Sequence, residues 1–178
     1  MNDNNEFVNN LINNVLQSTM VNHENEIKHL NSLTETNDKL MKEITFKLIF
    51  FIRKNCTDEL KKVNKNYEFV NDKEMGYQLL RKGEEDLNSV YELERCIDKH
   101  TGVNKKIYMN ETQLNEVIRL NKNCNRTCIE TYKIDNSEKE LSRCFDLCFE
   151  EYYKNHLYLL QNYSIDLTEV KNKIENLI

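Results

Sequence analysis

The chain has 178 residues, of which 39% are hydrophobic and 31% charged, and its formal net charge is −5. The hydrophobic content is low for a compact globule, so elongated helices with much exposed surface fit this composition better than one large core. Acidic and basic residues are interspersed along the chain, and the lack of a basic face argues against a nucleic-acid partner.

Apolar residues recur at helical spacing almost everywhere, and the chain has no proline and only three glycines. This pattern predicts an all-α protein. The longest apolar run, Leu48–Ile52, is far shorter than the roughly 20 residues of a membrane helix. We therefore expect no membrane span. The N-terminus carries neither a basic signal-peptide region nor an Arg-rich presequence, which disfavours standard secretion.

Residues 1–105 are expected to form an N-terminal helical extension. An amphipathic helix is predicted around Phe7–Leu16, and the apolar spacing resumes over Ile27–Phe51, so these segments can form one long bent helix. A third helix is predicted from about Lys73 to Ile97, and Thr101-Gly102 is expected to end it.

Residues 106–178 are expected to form a second domain, an antiparallel helical hairpin. Its signature is two CxxxC pairs, Cys124–Cys128 and Cys144–Cys148. In each pair the i,i+4 spacing places both thiols on one helix face. The first helix is expected to begin near Asn110. Between the pairs, a polar turn precedes Ser137-Glu-Lys-Glu140, which is a capping-box pattern that begins a helix.

Folding at that turn brings Cys128 towards Cys144 and Cys124 towards Cys148, which predicts two nested disulfides. A zinc site formed by the same four thiolates is the alternative, because four sulfurs satisfy tetrahedral zinc in the reduced protein. Otherwise we expect no cofactor. Cys56 and Cys96 lie near the ends of predicted helices, where they can form a third disulfide or remain two buried thiols.

The second hairpin helix carries two apolar stripes. Leu141, Cys144, Cys148 and Tyr152 form the seam towards the first helix. A neighbouring stripe must face the N-terminal helices, another subunit or an unfolded client protein. Its members, which are our candidate interface residues, are Phe145, Phe149, Tyr153, Leu157 and Leu160.

Over residues 108–178, with Leu141–Tyr153 the most similar segment, the sequence resembles the small Tim family of twin-CxxxC chaperones. The resemblance implies a location in the mitochondrial intermembrane space, other small Tim-like subunits as partners, and shielding of hydrophobic membrane-protein precursors during import. The alternative is a disulfide-stapled structural subunit of a larger complex of the mitochondrial inner membrane. No catalytic triad, P-loop or redox CxxC motif is present, so we expect no enzymatic activity.

Overall fold

The predicted all-α fold is confirmed, with the addition of one small β-hairpin. A computed structural model of the chain describes residues 2–63, 67–72, 76–81, 87–135 and 137–178. Within these residues the helices are α1 (Asn2–Asn22), α2 (Glu24–Asn55), α3 (Thr57–Val63), α4 (Leu87–Thr101), α5 (Val103–Asp135) and α6 (Glu138–Leu177). The strands β1 (Tyr67–Asp72) and β2 (Gly76–Arg81) form an antiparallel pair in which Tyr67 lies opposite Arg81.

The chain divides into two compact units. Unit 1 consists of Met1–Leu33 and Glu111–Leu160, and unit 2 consists of Thr34–Asn110 and Gln161–Ile178. Helices α2, α5 and α6 each contribute residues to both units. Each unit therefore combines an N-terminal segment of the chain with a more C-terminal one.

The N-terminal segments were expected to form one long bent helix, and the structure forms two consecutive helices there, α1 and α2. α1 and α2 are separated only at His23, and the hydrogen-bond pattern continues through it. The His23 amide donates to the Thr19 carbonyl, and the Ile27 amide donates to the His23 carbonyl, both at 3.1 Å. The α-helical i to i−4 bonds are thus kept on both sides of the break.

The prediction of a third helix starting near Lys73 is wrong for residues 76–81, which form β2. The start of that predicted helix lies outside the described residues, and α4 begins only at Leu87. Tyr67–Asp72 contains Tyr, Phe and Val, and Gly76–Arg81 begins with Gly-Tyr. Aromatic and β-branched residues favour strands, whereas the helical spacing of the leucines suggested a helix.

The predicted start of the first hairpin helix near Asn110 is also wrong, because α5 already begins at Val103. Residues of α4 cap it: Asp98 Oδ1 accepts hydrogen bonds from the Asn104 and Lys105 amides at 3.1 and 3.3 Å. Gly102 makes the sharp connection with a φ of 68°, a conformation that glycine adopts without strain. The expected end of α4 at Thr101-Gly102 is confirmed.

α6 begins as predicted. The Ser137 hydroxyl accepts a hydrogen bond from the Glu140 amide at 3.3 Å, and the Ser137 carbonyl accepts one from Leu141. This is the serine half of a capping box. The helix then runs for 40 residues, to Leu177.

In unit 2, α2 and the end of α6 run parallel to each other beside an apolar core. Three side-chain hydrogen bonds join the two helices: Asn37 with Ser164, Glu43 with Lys171, and Lys47 with Glu175. The residue numbers increase in the same direction along both helices, which shows that the helices are parallel. The core residues that have no exposed surface are Ile44, Phe51, Cys56, Leu167, Val170 and Ile174. Burying a large apolar side chain of this kind contributes roughly 1.5 to 3 kcal/mol to folding.

Candidate functional site: the disulfide ladder and the face beside it

Two disulfides connect α5 and α6 in the predicted nested pairing. Cys124 is bonded to Cys148 and Cys128 to Cys144, with Cα atoms 5.8 and 5.7 Å apart. We call these bonds the outer rung and the inner rung of the ladder. Both Cα separations lie in the usual range for disulfides. The antiparallel hairpin is therefore stapled twice within one helical turn.

Each rung pairs a buried cysteine with a more accessible one. Cys128 of the inner rung is 1% exposed and Cys148 of the outer rung is 3% exposed, whereas Cys144 is half-buried and Cys124 is exposed. A cavity of about 40 Å³ adjoins the inner rung, lined by residues that include Tyr132 and Leu141. It is much smaller than the roughly 300 Å³ or more of a small-molecule pocket.

Three of the four hairpin sulfurs are close enough together for the zinc alternative to be considered. Those of Cys124, Cys128 and Cys148 all lie within 4.8 Å of one another. In the disulfide-bonded form none of them is a thiolate, and zinc is bound by thiolates. The zinc hypothesis therefore concerns only a reduced form of the hairpin.

The N-terminal helices cover the candidate interface stripe on α6. They are the first of the three possible partners that the sequence left open for this stripe. Phe145 is 1% exposed and packs in one cluster with Ile12 and Val15 of α1. The remaining buried members of this cluster are Cys128, Tyr132, Leu141 and Cys148. The apolar face beside the ladder and the ladder itself thus share one core with α1.

The next residue of the stripe, Phe149, contacts His23 at the α1–α2 break. Their rings stack with centroids 4.4 Å apart and planes inclined by 22°. His23 Nε2 lies 3.4 Å from an Asp146 carboxylate oxygen, and its Nδ1 lies 3.8 Å from Glu26. The helix break therefore places an imidazole against α6, between two carboxylates.

The remaining stripe residues are covered to different degrees. Tyr153 is half-buried, and its hydroxyl lies 2.9 Å from Nδ1 of His29 in α2. Leu160 is 5% exposed and Leu157 is half-buried. The contacts with His23 and His29 were not expected from the sequence, because neither histidine belongs to a recognisable motif.

Tyr152, the last residue of the seam between α5 and α6, is hydrogen-bonded to a histidine of the same helix. The Tyr152 hydroxyl and His156 Nδ1 lie 2.8 Å apart, one helical turn from each other. Burial raises the pKa of Tyr152 and lowers the pKa of His156. Both shifts favour the neutral side chains, and the tautomer of the imidazole sets which of the two groups donates the hydrogen bond. This pair supplies no charged catalytic group at neutral pH.

The third disulfide joins Cys56 to Cys96 in unit 2, with Cα atoms 6.1 Å apart. Cys56 lies at the bend between α2 and α3, is completely buried and belongs to the unit 2 core. The bond connects the end of α2 to α4. Of the two possibilities for this pair, the structure contains the disulfide.

Comparisons with known proteins identify no relative: no family model, no curated protein and no solved structure matches the chain. Within the part of the chain that the structure describes, no helix is long and apolar enough to cross a membrane. Three disulfides are typical of proteins that fold in an oxidising compartment.

Proposed function

We propose that this protein is a small Tim-like chaperone of the mitochondrial intermembrane space that shields hydrophobic membrane-protein precursors during import. The observation that carries the proposal is the twin-CxxxC hairpin with nested disulfides and an apolar face directly beside them. The disulfides fit the oxidising character of the proposed compartment. The proposed partners besides the precursors are further small Tim-like subunits.

On this proposal, α1 occupies the client-binding face of α6 when no client is present. α1 is a weak helix by itself, because eight of its 21 residues are asparagine, which has a lower helix propensity than alanine or leucine. Among its residues with described side chains, Ile12, Val15 and Thr19 are the buried ones. Val8, Leu11 and Leu16 pack half-buried against the same cluster as Ile12 and Val15. A helix of low intrinsic propensity that is held by one apolar stripe is suited to reversible release.

A buried polar atom of α1 also favours release of this helix over permanent packing. The hydroxyl oxygen of Thr19 is buried with no hydrogen-bond partner. Burying such an atom without a partner costs free energy, so it weakens the attachment of α1. A client segment with an amphipathic helix would replace the contacts of Ile12 and Val15 with Phe145.

Displacing α1 by mutation tests this function. Val15→Asp places a charge at a buried contact with the hairpin, so we expect α1 to detach while the ladder keeps the hairpin folded. Suppression of the aggregation of a hydrophobic precursor peptide, measured by light scattering, should rise several-fold above wild type. Val21→Asp is the matched control, because Val21 lies in the same helix and is 72% exposed.

A structural subunit of a larger inner-membrane complex is the second candidate. The burial of Phe145 within the protein's own core favours it, because a residue that only packs internally needs no client. In that case Val15→Asp should lower the helix content measured by circular dichroism and leave peptide aggregation as fast as with wild type. That result would reject the chaperone proposal.

A further inference from the structure

The two rungs of the ladder are in direct contact with each other. The sulfur of Cys128, from the inner rung, lies 3.5 Å from the sulfur of Cys148, from the outer rung. Both atoms belong to disulfides, so this is a non-bonded contact between neighbouring S–S bonds. A disulfide bond is about 2.0 Å long, so a movement of about 1.5 Å would be enough to join these two atoms.

Solvent access differs sharply along this chain of sulfurs. Cys124 is exposed and Cys144 is half-buried, whereas Cys148 and Cys128 are 3% and 1% exposed. Of the four cysteines, Cys124 is therefore the most open to attack by an external thiol. Thiol–disulfide exchange depends on such access and on which sulfur is attacked.

We propose that the four hairpin cysteines form a thiol–disulfide exchange relay, in which electrons enter at Cys124 and reach the inner rung through the buried sulfur atoms of Cys148 and Cys128. The proposal is independent of any chaperone activity, because it rests only on the contacts between sulfurs. The reductant that it requires is an external thiol compound. The relay gives the inner rung a second route to reduction besides direct attack at Cys144, which is half-buried.

The first step opens the outer rung. An external thiolate attacks the Cys124 sulfur and forms a mixed disulfide with it, and the bond to Cys148 breaks so that Cys148 leaves as a thiolate. This thiolate is generated 3.5 Å from the Cys128 sulfur. The nucleophile for the second step is therefore released next to its target.

The second step transfers the bond without any change in oxidation state. The Cys148 thiolate attacks the Cys128 sulfur, a Cys128–Cys148 bond forms, and Cys144 leaves as a thiolate that takes up a proton. A second external thiol then resolves the mixed disulfide at Cys124, which releases the oxidised reagent as its own disulfide. In total, two external thiols are oxidised, and the hairpin retains one disulfide and gains thiols at Cys124 and Cys144.

Partial reduction of the full-length protein tests the relay. The protein is treated with a limiting monothiol, quenched in acid, alkylated and mapped by mass spectrometry. Trypsin separates Cys124 from Cys128 at Arg126, and chymotrypsin cleaves after Phe145, between Cys144 and Cys148. We expect a Cys128–Cys148 peptide with Cys124 and Cys144 alkylated, in about one partly reduced molecule in ten or more.

A Cys124→Ser variant provides a second measurement that needs no reductant. It leaves Cys148 as a thiol beside the inner rung, so the Cys128–Cys148 bond should appear together with Cys128–Cys144. Cys56→Ser is the matched control: it also leaves one thiol, at Cys96, and should retain both rungs. The relay is rejected if partial reduction of the wild type yields only Cys124–Cys148 and Cys128–Cys144, and the Cys124→Ser variant yields only Cys128–Cys144.

Discussion

Phe145 is the residue through which the ladder and α1 share a core. It follows Cys144 directly, is 1% exposed, and packs with the α1 residues Ile12 and Val15. We expect Phe145→Ala to lower the free energy of unfolding by about 3 to 5 kcal/mol, because it leaves a cavity in this core. Chemical denaturation of the oxidised protein measures the loss.

The control for Phe145 is Leu147→Ala, on the same helix. Leu147 is 58% exposed, so its truncation should change the free energy of unfolding by less than about 0.5 kcal/mol. Equal effects of the two variants would contradict the core that we describe in unit 1.

Glu169 provides a pH-dependent contribution to the stability of unit 2. Hydrogen bonds from Lys173 and Lys106 lower its pKa from 4.5 to about 2. A carboxyl group with a lowered pKa in the folded state stabilises the protein above pH 4.5 and loses this contribution as the pH falls towards 2. The midpoint of denaturation should therefore depend less on pH over this window in Glu169→Gln than in wild type.

The control is Glu150→Gln, which removes an exposed carboxylate elsewhere on α6. In this variant the midpoint of denaturation should vary with pH as it does in wild type. If Glu169→Gln also showed the wild-type pH profile, the assigned ion pairs would be contradicted. The effect will be modest, because side chains at the surface are screened by solvent and salt.

At the scale of single elements, the start of α5 depends on the side chain of Asp98. Its carboxylate accepts hydrogen bonds from the Asn104 and Lys105 amides, which would otherwise lack partners at the helix N-terminus. Asp98→Ala should cost about 1 kcal/mol of stability. Thermal unfolding checks this, and Asp98→Asn is the matched variant because it keeps an acceptor and should retain most of the stability.

The sequence predicted the element types well and some boundaries poorly, for physical reasons. The start of α6 was predictable, because its cap residue Ser137 lies immediately before the helix that it caps. The start of α5 was not, because its cap comes from Asp98, a residue inside the preceding helix. The strand β2 was missed because helical spacing of leucines does not distinguish a short strand from a helix.

At the scale of the whole molecule, the disulfide pairing of the hairpin followed from local rules. The i,i+4 spacing places both thiols of each pair on one helix face, and the turn before Ser137 brings the two faces together. In this geometry the nested pairing joins the thiols that lie nearest to each other. The covering of α6 by α1 did not follow, because an apolar stripe does not specify its partner. The stacking of His23 on Phe149 depends on that packing, and therefore could not be predicted either.

The central claim is that α5 and α6 form a hairpin stapled by two nested disulfides, beside a face that α1 covers. The most direct test is disulfide mapping of the protein purified without reductant, after alkylation in acid. We predict peptides that join Cys124 to Cys148, Cys128 to Cys144 and Cys56 to Cys96. Stoichiometric zinc with four alkylated hairpin thiols would contradict the account.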